Sequence, residues 1–128
     1  MEDLGFSIPD LSDVPDLKPL EEGEYELQVE KVKMIKNRDE TRSAIMLICD
    51  VVGEDDAEDV IHSIWLPSSM DDPDKAMIMK RMLKEFVVAV GLDPDGLEPS
   101  HFEGLNFSAK LKLTEFDGRQ RNEIARVL

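Results

Sequence analysis

From Gly23 onward the chain alternates. Tyr25, Leu27 and Val29 fall on one side and Glu24, Glu26, Gln28 and Glu30 on the other, the period of a half-buried β-strand. The apolar set then moves to Val32 and Met34, a slip of one residue that a β-bulge near Lys31 would absorb while bending the strand. Lys36 to Arg42 is a polar loop, and Ala44 to Val52 is an almost continuously apolar second strand. Gly53 to Asp59 reads as an acidic turn, and Val60 to Leu66 as a third strand ended by Pro67. The period then changes. Asp71 or Asp72 as N-cap, Pro73 at the first helical position, Asp74 in the first turn and Gly91 as the stop predict a helix over about Pro73 to Val90. Met79, Met82, Leu83, Phe86, Val87 and Val90 would form its core face, with Lys80, Arg81 and Lys84 in water. After a Pro/Asp/Gly-rich connection, Phe107, Ala109, Leu111 and Leu113 alternate with Ser108, Lys110, Lys112 and Thr114 as a fourth strand. Asp117-Gly118 is a hairpin-turn signal, and Arg119 to Leu128 returns as a fifth strand.

Three strands, one helix between strands three and four, and a closing hairpin is the element order of the five-stranded OB-fold barrel, a mainly β architecture whose first strand is long and bent. The bulge suits that role. Barrel closure also explains why the second strand is apolar on both faces. We therefore expect an OB-fold domain over residues 23–128. It is preceded by an acidic, Pro-containing leader over residues 1–22. There Leu11, Val14, Leu17 and Leu20 recur every third residue, a spacing that suits one edge of an extended polyproline-type segment lying on the barrel. Disorder is the alternative for the leader.

Charge sharpens this division. Across 128 residues, 15 Lys+Arg stand against 29 Asp+Glu, for a net charge of −14. The acids concentrate in the leader, in the 53–74 connection and in the 93–104 connection, while the expected strands and helix are neutral or basic. A uniformly basic nucleic-acid binder is excluded, and any polyanion must be met by a local patch. The single Cys49 offers no internal disulfide, and Met1-Glu2-Asp3 does not resemble a secretory start. No apolar run approaches the ~20 residues of a membrane helix. A cytoplasmic protein is expected, without membrane association.

Several stretches carry a resemblance to a known family. Leu11-Ser12-Asp13-Val14 and Pro19-Leu20-Glu21-Glu22-Gly23-Glu24-Tyr25 open it, and Ile64-Trp65-Leu66-Pro67 precedes an Asp-rich helix start. Lys84-Glu85-Phe86 leads to Gly91-Leu92-Asp93-Pro94-Asp95, and Glu103-Gly104-Leu105 comes before Arg121-Asn122-Glu123-Ile124. Over nearly its whole length the chain resembles phage-encoded single-stranded-DNA-binding proteins of OB type. One departure is the first hairpin loop, where such proteins often have a Gly or Lys-Gly turn and this chain has Asn37-Arg38-Asp39-Glu40. The resemblance implies non-sequence-specific binding of single-stranded DNA in phage replication or recombination. It also implies contact with phage or host proteins of those processes, in the cytoplasm of an infected bacterium.

Such binding needs cations along a groove and flat side chains on which bases stack. In OB-folds the groove crosses strands two and three between the first and last hairpin loops. The cations available are Lys31, Lys33, Lys36, Arg38 and Arg42 at the first hairpin and Lys110, Lys112, Arg119, Arg121 and Arg126 at the last. Ordinary solvated strand faces are the competing reading. Trp65 is the leading stacking candidate, with a core Trp as its alternative, and Phe116 beside the Asp117-Gly118 turn is the next. Tyr25, Phe86, Phe102 and Phe107 read as core.

Enzyme chemistry is not expected. His62 and His101 lie far apart with no Cys or His at ligand spacing, so neither zinc nor another cofactor is anticipated. Glu54, Asp55, Asp56, Glu58 and Asp59 lack calcium-loop spacing and read as a solvated turn. No phosphate-binding Gly loop or nucleophile motif is present. Met77, Met79 and Met82 read as core or as a pliable partner surface. A reading from a different class also stands: an acidic OB-type module that recruits a basic partner or mimics DNA without binding it.

Overall fold

In a computed structural model that describes residues 8–12 and 16–128, the side chain of Phe116 excepted, the alternating segments form five strands. They are β1 (Gly23–Lys36), β2 (Ser43–Val51), β3 (Val60–Trp65), β4 (Asn106–Phe116) and β5 (Arg119–Val127). All neighbours are antiparallel, in the order β3-β2-β1-β4-β5. The central β1 is the longest, at 14 residues, because its two halves serve different partners. Gly23 to Gln28 pairs with β4, and Leu27 to Lys36 pairs with β2.

The slip in the apolar pattern is a real bulge. The β1–β2 register shifts between Val29 and Lys31, leaving Glu30 as the extra residue. The backbone groups that the bulge frees find partners in the segment before β4. Val29 N–H donates to Leu105 O, and Gly104 N–H donates to Val29 O, each at 2.9 Å, so the bend leaves no orphaned amide at Val29.

The sheet curls but does not close. The expectation of a closed barrel fails here: β3 and β5 are the two edges, and among the described residues no ladder joins them. A cleft separates them, spanned at one end by an ion pair between Arg119 and Glu58 at 2.7 Å. β3 is only six residues long, which limits how much edge it can offer a partner.

One helix, α1 (Pro73–Ala89), covers part of the core face. The Asp72 side chain accepts from Lys75 N–H at its N-terminus. At its other end Gly91, at φ 85°, turns the chain while its N–H reaches Val88 O. Leu83, Phe86, Val87 and Val90 pack on the core, but Met82 does not: it is 65% exposed, beside the exposed Ile78. The helix buries only a narrow stripe, and Met82 lies on its flank. A 3-10 turn, Pro99–Phe102, drops the fully buried Phe102 into the core with Leu27, Leu47 and Leu111.

Among the described residues, the leader is fastened to the sheet near its end. Lys18 forms a parallel bridge with Ala57, its N–H donating to Asp56 O at 2.9 Å. Leu20 is held on both sides by Asn122, whose Oδ1 accepts from Leu20 N–H (2.8 Å) while its Nδ2 donates to Leu20 O (2.9 Å). Leu20 packs on the core, whereas Leu11 and Leu17 are exposed, and Val14 lies outside the described residues. The three-residue spacing therefore does not form a continuous apolar edge on the sheet.

Candidate nucleic-acid interface

Residues directly opposed across an antiparallel ladder project from the same face. In the three-strand half of the sheet this fixes two sets of rows. Val29–Cys49–Val60, Val32–Leu47–His62 and Met34–Ile45–Ile64 line the core face. Lys31–Ile48–Ile61, Lys33–Met46–Ser63 and Ile35–Ala44–Trp65 line the outer one. The outer rows place two lysines on one border of a partly apolar surface, with Trp65 39% and Ile61 49% exposed along the edge strand. Trp65 is therefore no core residue, and its ring is accessible on the face that carries Lys31 and Lys33.

Beyond β3 the cleft between the sheet edges, about 520 Å³, brings the last hairpin to this face. Ile61, His62 and Ser63 line one side, and Arg119 and Arg121 of β5 line the other. Arg119 holds Glu58, and Arg121 lies 3.5 Å from Glu123. Cations thus border the outer face from both β1 and β5.

The remaining expected cations go elsewhere. Lys36 opposes Ser43 two residues beyond Met34, and so belongs to the opposite face from Lys31 and Lys33. Arg38 is exposed at the hairpin tip. There Asn37 replaces the usual glycine device: its Oδ1 accepts from Thr41 and Arg42 N–H at 2.9 and 3.0 Å, and Glu40 takes φ 56°. Arg42, expected in the groove, is an internal clamp. Its guanidinium grips Asp71 in a fork (Nη1–Oδ2 2.9 Å, Nη2–Oδ1 2.5 Å), donates to Leu66 O at 2.9 Å and contacts Met79 Sδ. The Arg42 fork, with Ser68 N–H, holds the Asp71 carboxyl down at about 2. The sequence offers Asp71 and Asp72 equally as the N-cap; the fold gives the cap to Asp72 and the arginine to Asp71.

Lys110 and Lys112 also face outward, but from β4. Lys110 is opposed by Glu24 and Arg126, and Lys112 by Glu123. Seven residues of β1 separate the Glu24 row from Lys31, about 20 Å along the strand. The two basic hairpins do not merge into one stripe through the sheet; they meet only through Arg119 and Arg121 across the cleft. Phe116 sits at the end of β4, opposite Arg119, and its side chain lies outside the described residues.

Sequence reasoning missed two features. The bulge residue Glu30 converges with Asp50 and Asp59, one carboxylate oxygen from each lying within 4.8 Å of the others. Among the described residues these are the carboxylates close enough together to share a cation; of the acidic turn read in the sequence, only Asp59 takes part. Their signal is the bulge itself, which adds an acid beside the Gln28–Asp50 row. The second feature is His62, whose ring stacks on Phe86 with centroids 5.0 Å apart. Burial pushes its imidazole below the ordinary value, and Glu123 pulls weakly the other way. Cys49 is fully buried, its thiol pushed up to about 12 by burial and by the charges of Asp59 and Glu30, so it carries no thiolate chemistry near neutrality.

Tyr25 packs on the core with its hydroxyl donating to Glu21 O at 2.8 Å, and Phe86, Phe102 and Phe107 form one aromatic group beneath the sheet. None of the four is available for stacking. Among the described residues no helix is long and apolar enough to cross a membrane. No curated protein sequence matches the chain. Residues 9–110, from the leader through the sheet's central strands to the middle of β4, match the model of the family described as Protein of unknown function (DUF669), and the chain belongs to that family.

Proposed function

We propose that this chain is an OB-type protein that binds single-stranded DNA without sequence preference, serving phage DNA replication or recombination in the host cytoplasm. The observation that carries this reading is the set of three outer rows, which puts exposed Trp65 and Ile61 on the same face as Lys31 and Lys33. A flat ring beside cations at strand spacing suits successive bases and their phosphates. Arg119 and Arg121 across the cleft extend the cationic border, although each already has an acidic neighbour. The element order and the resemblance of the leader, Trp65 and post-helix segments support the OB assignment and the phage setting. Partners of the same processes follow from that setting.

The geometry also favours a modest affinity. Glu30, Asp50 and Asp59 close one end of the face, and the chain as a whole repels a polyanion. Binding should therefore weaken steeply with salt, with a log–log slope of about −3 if four cations each release a counterion from a single strand. A salt series comparing single-stranded and duplex oligonucleotides of roughly thirty nucleotides tests this. The expected result is preference for the single strand, with a slope made shallower by about 1.4 when Lys31 and Lys33 are both replaced by Ala. Absence of binding at low salt would leave the second reading, an acidic module that recruits a basic protein. The Glu30–Asp50–Asp59 cluster is the specific observation in its favour.

A further inference from the structure

A second cleft opens on the opposite side of the sheet, between α1, the end of β1 and the 3-10 turn. It encloses about 430 Å³ and is walled mainly by apolar side chains, among them Met34, Leu66, Leu83 and Leu97, with Glu98 an acid on the 3-10 side, opposite the helical rim. Two cations, Lys80 and Lys84, stand on its helical rim; both are exposed, and among the described residues neither has an ion-pair partner. An apolar trough under two free ammonium groups suits a short segment with apolar anchors and a carboxylate between or beside them.

The chain carries such a segment. Ile8-Pro9-Asp10-Leu11 presents Ile8 at 85% and Leu11 at 62% exposure, around an acid whose carboxylate is held ionised by Ser12 N–H. Its surroundings in sequence are acidic throughout. These are among the largest apolar exposures of the described residues, and no described residue covers them.

We infer that the Ile8–Leu11 segment of one copy docks in the α1 cleft of a second copy. The chain's own cleft is hard to reach. The leader is fastened at Lys18 and Leu20 to Ala57 and Asn122, at the end of β2 and β3 remote from the cleft. Six residues of β2, about 20 Å, lie between Val51 at that end and Ile45 in the cleft wall. The seven residues from Lys18 back to Leu11 span at most ~25 Å when fully extended, which leaves almost no slack for a path around the sheet. A neighbouring copy imposes no such limit. Donor segment and acceptor cleft are different surfaces, so the contact is heterologous and adds copies head to tail. The inference does not depend on the DNA-binding reading and is tested without nucleic acid.

The test is a mixed-label crosslink on the full chain. A chain carrying a photoreactive phenylalanine in place of Leu11 is mixed with an isotopically heavy, otherwise unaltered chain, illuminated and digested. The expected result is a crosslink from the light leader to heavy peptides spanning residues 79–87 or 94–102, with the yield falling several-fold when the heavy chain carries Lys80→Glu and Lys84→Glu. Pairing those changes with Asp10→Lys in the light chain should restore it. Crosslinks confined to the light chain would mean that the leader folds back on its own cleft and would overturn the inference. So would capture of other heavy peptides, or no heavy product near millimolar protein. Matching melts of the charge variants confirm that the cleft stays folded.

Discussion

The two faces of β2 are both apolar in sequence, yet they do different work. Ile45, Leu47 and Cys49 point into the core, where Leu47 and Cys49 are fully buried under α1 and Phe102. Ala44, Met46 and Ile48 point the other way, into a surface where they keep company with Lys31, Lys33, exposed Ile61 and Trp65. Apolar character alone cannot separate these roles, because burial and a stacking platform call for the same residue types. What separates them is the neighbouring strand: β1 offers Val29, Val32 and Met34 to the core rows, and Lys31 and Lys33 to two of the three outer rows. A face built for packing has no use for ammonium groups in adjacent rows, whereas a face that receives a polyanion does.

Truncating one residue on each face separates the two roles. Leu47→Ala removes a fully buried side chain and should cost ~2–5 kcal/mol of stability, read as a lower urea midpoint with an unchanged slope. An effect well under that range would mean that the core is seated elsewhere. Trp65→Ala on the outer face should leave the urea midpoint nearly in place and remove ~1–3 kcal/mol of single-strand affinity, a loss of roughly five- to 150-fold. In the unaltered chain the same contact should quench Trp65 fluorescence on titration with oligonucleotide. A large loss of stability with affinity intact would reverse the assignment of the two faces.

How much of this was legible in the sequence follows from the physics of each signal. Period-two alternation and helix caps are local, so all five strands and the helix can be read within a residue or two, and the Glu30 bulge follows from a single slip in the apolar pattern. Trp65 could be placed out of phase with Ile64 and Leu66, which put it opposite the core set; its exposure, however, depends on whether anything covers that face. Non-local choices were not legible. Arg42 looks like any loop cation until Asp71, 29 residues on, arrives beside it. Lys36 looks like a continuation of Lys31 and Lys33 until the register shows it on the other face. Closure of the barrel depends on whether two edges far apart in sequence pair, and a six-residue β3 facing β5 across a polar cleft leaves them unpaired. The leader's three-residue spacing was the least reliable guide, because spacing states which residues share an edge without stating that anything meets that edge.

The smallest expected effect sits where the two faces come together, at His62. It belongs to a core row, opposite Leu47, yet it lies on the edge strand and lines the cleft that Arg121 and Glu123 border. Stacking on Phe86 withdraws the imidazole from water and favours its neutral form in the folded chain. In the unfolded chain the ring titrates at its ordinary 6.5. As pH falls through that value the unfolded state takes up a proton before the folded state does, so stability declines until the folded-state pKa is also passed. The stabilising contribution is therefore complete above about 7 and is lost on the acid side of the histidine range, before the carboxylates begin to titrate. Melts of the unaltered chain across that range should drift downward. His62→Phe, which keeps a ring on Phe86 and removes the titrating nitrogen, should flatten the drift. The other histidine, His101, is exposed and caps the 3-10 turn, where its Nδ1 accepts from Glu98 N–H at 3.1 Å. An undiminished slope in His62→Phe would show that the edge of the core, where it meets the candidate binding face, is wetter than the Phe86 stack implies.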